Sequence, residues 1–365
     1  MQLLLTTDMC IVSRYSLQIE KHIVNSEYLR FSSGSVLYMT SILDCTLRDG
    51  GYINNWNFND EFVDNYLQLM SDLKVDFVEL GFINKTKKYK NEVVGKLRNL
   101  DKQTIDYYCE RFKDLKIVIM ADFTDINLEI LKENLPVSLV RVVFHKKDFK
   151  DALKTCSDIK KLGYKVCANP MAVTNYNDEE LDELIALTNQ YEINYWYIVD
   201  SYGSLNQDDL ITVYEKCKPK LPQSTIGIHL HNNMNNAFTN YTGLIKSYND
   251  DNIIVDSTLF GMGRGAGNLQ TELLFSNCEC DTIYALMKFI YLHIKPFYKK
   301  TYNEWGYDID FFISGLLKIH PNYVVKLREF NFDTLRIIEI LIYLNKNYNK
   351  DSKSLNIELL NKILE

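Results

Sequence analysis

Three short stretches of the 365-residue chain bring polar side chains to the ends of apolar runs. In the first, Ile42-Leu-Asp-Cys-Thr-Leu-Arg-Asp-Gly-Gly-Tyr52, an apolar strand runs into Asp44, Arg48 and Asp49 and then into paired glycines. Charges gathered at a strand tip suit a metal ion or an anion above it, or an Arg/Asp pair that closes a barrel end. Gly50 and Gly51 permit a sharp turn or the close approach of a ligand. The second stretch, Gly227-Ile-His-Leu-His-Asn-Asn233, places His229 and His231 on one side of a strand, because side chains two apart share a face, and this suits two imidazoles on one ion. Joined by the Asp49 carboxylate, with positions open for water or substrate, they make a donor set for Mg2+, Mn2+ or Zn2+ acting as a Lewis acid. No thiolate joins them, which favours the harder ions. The third stretch, Leu259-Phe-Gly-Met-Gly-Arg-Gly-Ala-Gly-Asn268, lacks the G-x-G-x-x-G spacing and downstream acid of a dinucleotide site. It reads either as a tight turn or as a loop that binds anionic groups through backbone N–H groups. Glu79, His145 and Asp200 lie at three further strand ends and complete a polar rim.

Side chains so far apart in sequence need a scaffold that collects strand ends. From Ile42, short β-branched and apolar runs recur eight times: Ile42 to Thr46, Phe77 to Gly81, Ile117 to Ala121, Leu139 to Phe144, Lys165 to Ala168, Tyr195 to Val199, Thr225 to His231 and Ile253 to Leu259. Helical patterns lie between them, at Asn59 to Leu73, Asp148 to Leu162, Asp178 to Tyr191 and Gln207 to Lys216, with Asn59 and Asn177 at N-cap positions ahead of acidic first turns. This alternation predicts an α/β fold, a (β/α)8 TIM barrel, over residues 41–280, with a doubly wound open sheet as the alternative. A closed barrel sets strand 7 one strand away from strand 1, and so sets Asp49 near the histidine pair. From about Asp281 the chain reads as a helical C-terminal domain, 281–365, with a helix break at Ile319-His-Pro-Asn-Tyr323 and a solvated turn at Asn345 to Lys353. Residues 1–40 lack periodicity and read as an appendage, with Met39 an alternative translation start.

Composition narrows the function classes. A formal net charge of -7 and a pI near 5.5 argue against a nucleic-acid surface, which needs a basic face. No apolar run approaches the roughly 20 residues that span a bilayer, and the N-terminus has no secretory pattern. Eight scattered cysteines without C-x-x-C pairs read as reduced thiols, so the expected location is cytoplasmic. Cys278-Glu-Cys280 reads as a helix end.

Asp44-Cys-Thr-Leu-Arg-Asp-Gly50, Val78-Glu-Leu-Gly81, His229-Leu-His-Asn-Asn233 and Gly261-Met-Gly-Arg-Gly-Ala-Gly-Asn268 together resemble the DRE-type TIM-barrel metallolyases, a family that includes 4-hydroxy-2-oxovalerate aldolases, HMG-CoA lyases and isopropylmalate synthases. The resemblance runs from about residue 42 to 280 and looks closest to the hydroxy-oxovalerate aldolase branch. It implies that Asp49, His229 and His231 bind a divalent metal, Mn2+ or Mg2+ before Zn2+, with Asn268 as a further ligand. It also implies that Arg48 holds the ketone oxygen and stabilises an enolate, and that Glu79 fixes Arg48. That division of labour is chemically sound, since a bond broken beside a carbonyl needs charge stabilisation where the enolate oxygen develops. Two departures stand out. Tyr52 occupies the place where the aldolases carry a histidine base, so the base is Tyr52, a metal-bound water, His145 or His320. The glycine-rich loop also lacks the cysteine of the CoA-thioester lyases.

The expected activity is metal-dependent cleavage or formation of a C–C bond beside a 2-oxo acid carbonyl, with a 2-oxo acid and an aldehyde as small-molecule partners. Alternatives are a Claisen-type acyl-CoA/2-oxo acid synthase, an HMG-CoA lyase-like enzyme, or a partner subunit that docks an aldehyde dehydrogenase. A homo-oligomer is a further expectation.

Overall fold

Alternation along each strand decides what faces the axis of the fold. The computed structural model describes residues 40–85, 94–248, 253–300, 305–348 and 351–364. Eight parallel strands close into a barrel in chain order: β1 (Ser41–Asp44), β2 (Phe77–Phe82), β3 (Lys116–Asp122), β4 (Leu139–Phe144), β5 (Val166–Pro170), β6 (Tyr195–Asp200), β7 (Thr225–Leu230) and β8 (Ile253–Ser257). Pairing of β8 with β1, Asp256 opposite Leu43, excludes the open sheet.

Val78, Leu80, Val140, Val142, Ile226 and Ile228 face the surrounding helices and join them in one large core, while Phe77, Leu139, Tyr197 and Ile254 form a separate cluster inside the barrel. Two residues further along the same inward faces stand Glu79, Arg141, His229 and Asp256, all buried. The strand period therefore stacks a charged layer on an apolar one at the C-terminal end of the barrel. Gly227 belongs to the inward set and has no side chain because the Tyr197 ring fills its place: a Cβ there would lie 2.1 Å from the ring.

The helices form where their apolar spacing and caps direct. Asp60–Asp72 buries Val63, Tyr66, Leu67 and Met70 on one face, and Asn59 caps it by accepting the Phe62 N–H at 2.8 Å. Asn177 and Glu180 form a reciprocal capping box at the start of Asp178–Gln190.

Two expectations need correction. β1 ends at Asp44, not Thr46, because the Asp44 carboxylate accepts the Thr46 N–H at 2.8 Å and turns the chain into a one-turn helix, Thr46–Asp49. Arg48 and Asp49 thus stand on that helix rather than on the strand tip. The stretch Asn345 to Lys353 is more than a solvated turn. The helix Thr334–Tyr348 runs through its first part, and beyond it the buried Ser352 accepts the His320 N–H at 3.0 Å while the Lys353 carbonyl accepts the Tyr202 hydroxyl at 3.2 Å.

Past the barrel the described chain is helical. Leu286, Phe289 and Ile294 still pack into the barrel's outer core, whereas Ile309–Leu316, Asn322–Glu329, Thr334–Tyr348 and Ile357–Leu364 build a small second core. That second core includes Ala266 of the glycine-rich loop, so the extension sits against the rim of the barrel. The break expected at Ile319 to Tyr323 separates its first two helices. The N-terminal appendage lies outside the described residues, apart from Thr40.

Candidate active site

Arg48 and Asp49 arrive on the one-turn helix after β1, Glu79 on β2, His229 and His231 at the end of β7, and Asn268 in the loop after β8. The fold thus collects six of the seven residues expected at the site into one buried cluster. Asp49, His229 and His231 each offer a ligand atom, and these atoms lie within 4.8 Å of one another. The Asn268 amide donates to Asp49 Oδ2 at 2.6 Å, and the Asn268 backbone bridges to His231.

Each donor is held in the form a metal requires. Burial alone would raise the Asp49 pKa, but Arg48 and then the two imidazoles outweigh it and hold the carboxyl well below the usual carboxylate range. Burial, with His229 and Arg264 nearby, lowers His231 to about 3, so the ring is neutral and has a lone pair to give. His229 donates Nδ1–H to Asp256 at 2.9 Å, which leaves Nε2 as its free lone pair. Among the described residues, the buried His231 Nδ1 and Asn268 Oδ1 have no hydrogen-bond partner.

The charges agree with a cation. Arg48 donates to Glu79 at 2.6 Å and to Asp49, while Arg141 lies 3.1 Å from Glu79 and donates to Asp256 at 2.6 Å. Two guanidinium groups against three carboxylates leave one buried negative charge, which a divalent ion would offset. A second triple, Cys45, His229 and Asp256, is as compact. It is the poorer site: burial raises the Cys45 thiol well above its ordinary pKa, and Asp256 is already occupied by Arg141 and His229. The Asp49, His229 and His231 set therefore fits a divalent metal.

Burying five charges costs more desolvation than a well-packed apolar layer would, so stability does not explain the network. Its effect is positional, because it ties Arg48 to His229 through Glu79, Arg141 and Asp256. Arg141 also lies 4.2 Å above the Tyr197 ring, which supports it from below. Sequence reasoning missed Arg141 and Asp256. The available signal was a lone charge inside each apolar run, Leu139-Val-Arg-Val and Ile253-Ile-Val-Asp.

Two other polar residues of the rim, Asp44 and Asp200, serve the fold. Asp44 accepts from Thr46, from the Tyr66 hydroxyl at 2.6 Å and from Thr271, binding β1 to a helix and to the segment after β8. Asp200, raised to about 6 by burial, accepts the Ser204 and Leu205 N–H groups and shapes the loop after β6.

Tyr52 lies at the edge of the cluster, half-buried. The Arg264 guanidinium is 4.1 Å above its ring, and the Trp56 ring packs against it at 4.7 Å. His320 is buried in the helix break of the extension, and its Nδ1 accepts the Asn322 N–H at 3.2 Å. Burial, then Arg264 and His145, lowers its pKa to about 3 from the ordinary 6.5. Between those values the unfolded chain binds the extra proton, so stability is whole above about pH 6.5 and falls as the pH drops toward 3. His320→Gln should therefore reduce the loss of stability between pH 7 and pH 5, measured by urea unfolding, by on the order of 1 kcal/mol. Equal losses in both proteins would mean that His320 is not held neutral.

Residues 39–293 match the family described as HMGL-like. A 4-hydroxy-2-oxovalerate aldolase from Bacillus cereus is 24% identical over 241 residues, covering 64% of this chain and 68% of the relative. The protein of the same name from Geobacillus genomosp. 3 is 26% identical over 237 residues, with the same coverage of each chain. Among solved structures, the N-terminal domain of a Bacteroides vulgatus protein assigned as an aldolase superposes with a TM-score of 0.69 at 26% identity, over 82% of this chain and 99% of that one. The HMG-CoA lyase of Bacillus subtilis shares the fold at 16% identity, with a TM-score of 0.56 over 72% of this chain and 93% of its own. The match covers most of the chain and every strand of the barrel: this chain is a TIM barrel that belongs to the HMGL-like family.

Proposed function

We propose that the protein is a divalent-metal-dependent aldolase that cleaves or forms the C–C bond beside the carbonyl of a 2-oxo acid, using Mn2+ or Mg2+ before Zn2+. The observation that carries this reading is the setting of Arg48. Glu79 holds its Nε and Asp49 holds one terminal nitrogen, while Nη2 has no partner among the described residues, next to the Asp49, His229 and His231 cluster. A metal bound there would polarise the 2-oxo carbonyl.

The chain's own groups carry the rest of the reaction. In the cleavage direction the C4 hydroxyl gives up its proton, the C3–C4 electron pair moves toward the 2-oxo carbonyl, C4 leaves as an aldehyde, and C3 later takes a proton. Arg48, aimed by Glu79, stabilises the enolate oxygen as its charge develops. Glu79, Arg141 and Asp256 hold Arg48 and His229 in fixed relation, so no reorganisation is needed at the moment of reaction.

For the proton on the C4 hydroxyl, Tyr52 is our candidate base, by its place four residues after Arg48. Tyr52→Phe keeps the ring beneath Arg264 and removes only the hydroxyl. We expect a fall of about a hundredfold or more in turnover, with the limb of the pH–rate profile that reports the base displaced. A fall of only a few-fold with that limb unmoved would make Tyr52 a wall of the site and leave His145, His320 or a bound water as the base.

The reading is tested by incubating the enzyme with pyruvate, a panel of aldehydes and acyl-CoA thioesters, and each metal in turn, with products identified by mass spectrometry. A metal-dependent 4-hydroxy-2-oxo acid is expected. Product from an acyl-CoA alone would replace the aldolase by a Claisen-type synthase.

A further inference from the structure

At the C-terminal rim of the barrel lies a cavity of about 660 Å3, within the range of small-ligand sites, whose lining includes Lys146, Lys147, Lys353, His145 and His320 and no carboxylate. It opens on the rim that holds His229 and His231, since His145 follows β4 and Ser201, also in its wall, follows β6. The extension supplies the opposite wall through His320 and Lys353.

The glycine-rich loop joins the cavity to the metal centre. Gly263 presses on the ligands, where a Cβ would lie 2.3 Å from Asn268 Nδ2 and 2.9 Å from Asp49 Oδ2. Gly265 stands against Pro321, next to His320, where a Cβ would lie 3.2 Å away. Arg264 lies between them in sequence with its guanidinium over the Tyr52 ring, and its charge acts on Asp49, His231 and His320. Its buried Nε has no hydrogen-bond partner among the described residues.

The cations of this wall are not matched by anions. Lys146 is paired with Glu180, but neither Lys147 nor Lys353 has a carboxylate partner among the described residues. Lys353 is half-buried, donates to the Lys318 carbonyl at 2.7 Å and lies over the Tyr202 ring. Lys147 is exposed, whereas Lys353 is half-buried without a counter-charge among the described residues, and an anion delivered by the substrate would supply one.

We propose that this cavity receives the half of the substrate that leaves as the aldehyde, and that this half carries a second anionic group, a carboxylate or a phosphate, held by Lys353 and Lys147. The proposal rests on the aldolase reading above. It also separates this chain from a substrate such as 4-hydroxy-2-oxovalerate, named for the curated relatives, whose far end is a methyl group.

The test compares condensation of pyruvate with propanal, succinic semialdehyde and glycolaldehyde phosphate, in the wild type and in Lys353→Met and Lys147→Met. We expect kcat/KM for one of the two anionic aldehydes to exceed that for propanal by about tenfold or more, and that ratio to fall about tenfold in Lys353→Met. The aldehyde preferred identifies the group as carboxylate or phosphate. A ratio near one, or a ratio that neither variant moves, overturns the proposal. Titration of the wild type and of Lys353→Met with inorganic phosphate separates this failure from failure of the aldolase reading. Phosphate bound by the wild type and about tenfold more weakly by the variant keeps the anion site even if no aldehyde reacts; no phosphate or anionic-aldehyde binding in the wild type removes it.

Discussion

His229→Ala and His231→Ala should each reduce turnover below detection and strip the protein of its metal, while the thermal unfolding of the metal-free form stays close to that of the wild type. Removing a partner that merely orients a ligand costs about ten- to a hundredfold in metal affinity, so deleting a ligand should cost more. The fold tolerates the change because both rings stand above the apolar layer of the barrel, and the Arg141 to Asp256 contact survives without His229. Metal content by inductively coupled plasma mass spectrometry checks this beside circular dichroism. Stoichiometric metal and normal turnover in either variant would contradict the assignment.

Arg48→Lys should lose about a hundredfold or more in kcat although the charge is kept, the scale of deleting one oxyanion donor. The wild-type guanidinium uses separate nitrogens for Glu79 and Asp49 and leaves Nη2 without a partner among the described residues. An ammonium is a point charge on a flexible stem and cannot reproduce that fork. The loss should fall on kcat more than on KM, since the interaction strengthens as the enolate forms. Activity within a few-fold of the wild type would remove Arg48 from the mechanism.

The barrel was legible because each buried parallel strand is a short β-branched run and each crossover helix an amphipathic one. The candidate ligand pair at His229 and His231 was legible for the same reason, since a period of two fixes their common face. What escaped lay in the third dimension. Arg141 and Asp256 sit in the middle of apolar runs, and only barrel closure brings both against Glu79 and His229. The placement of Arg48 and Asp49 on a helical turn depends on one local hydrogen bond, from Thr46 N–H to Asp44, that no periodicity reports. His320 and Lys353 come from two segments whose composition reads as helix break and turn, and they reach the rim because the second core sets the extension against it.

The central claim is that Arg48 and a metal held by Asp49, His229 and His231 together stabilise the enolate of a 2-oxo acid. It is tested most directly by following the methyl protons of pyruvate in D2O by NMR, with no aldehyde present. The account predicts exchange that depends on Mn2+ or Mg2+, stops on chelation, returns when metal is restored and is lost in Arg48→Lys. Absence of exchange with every metal, or exchange that persists undiminished after chelation, would contradict it.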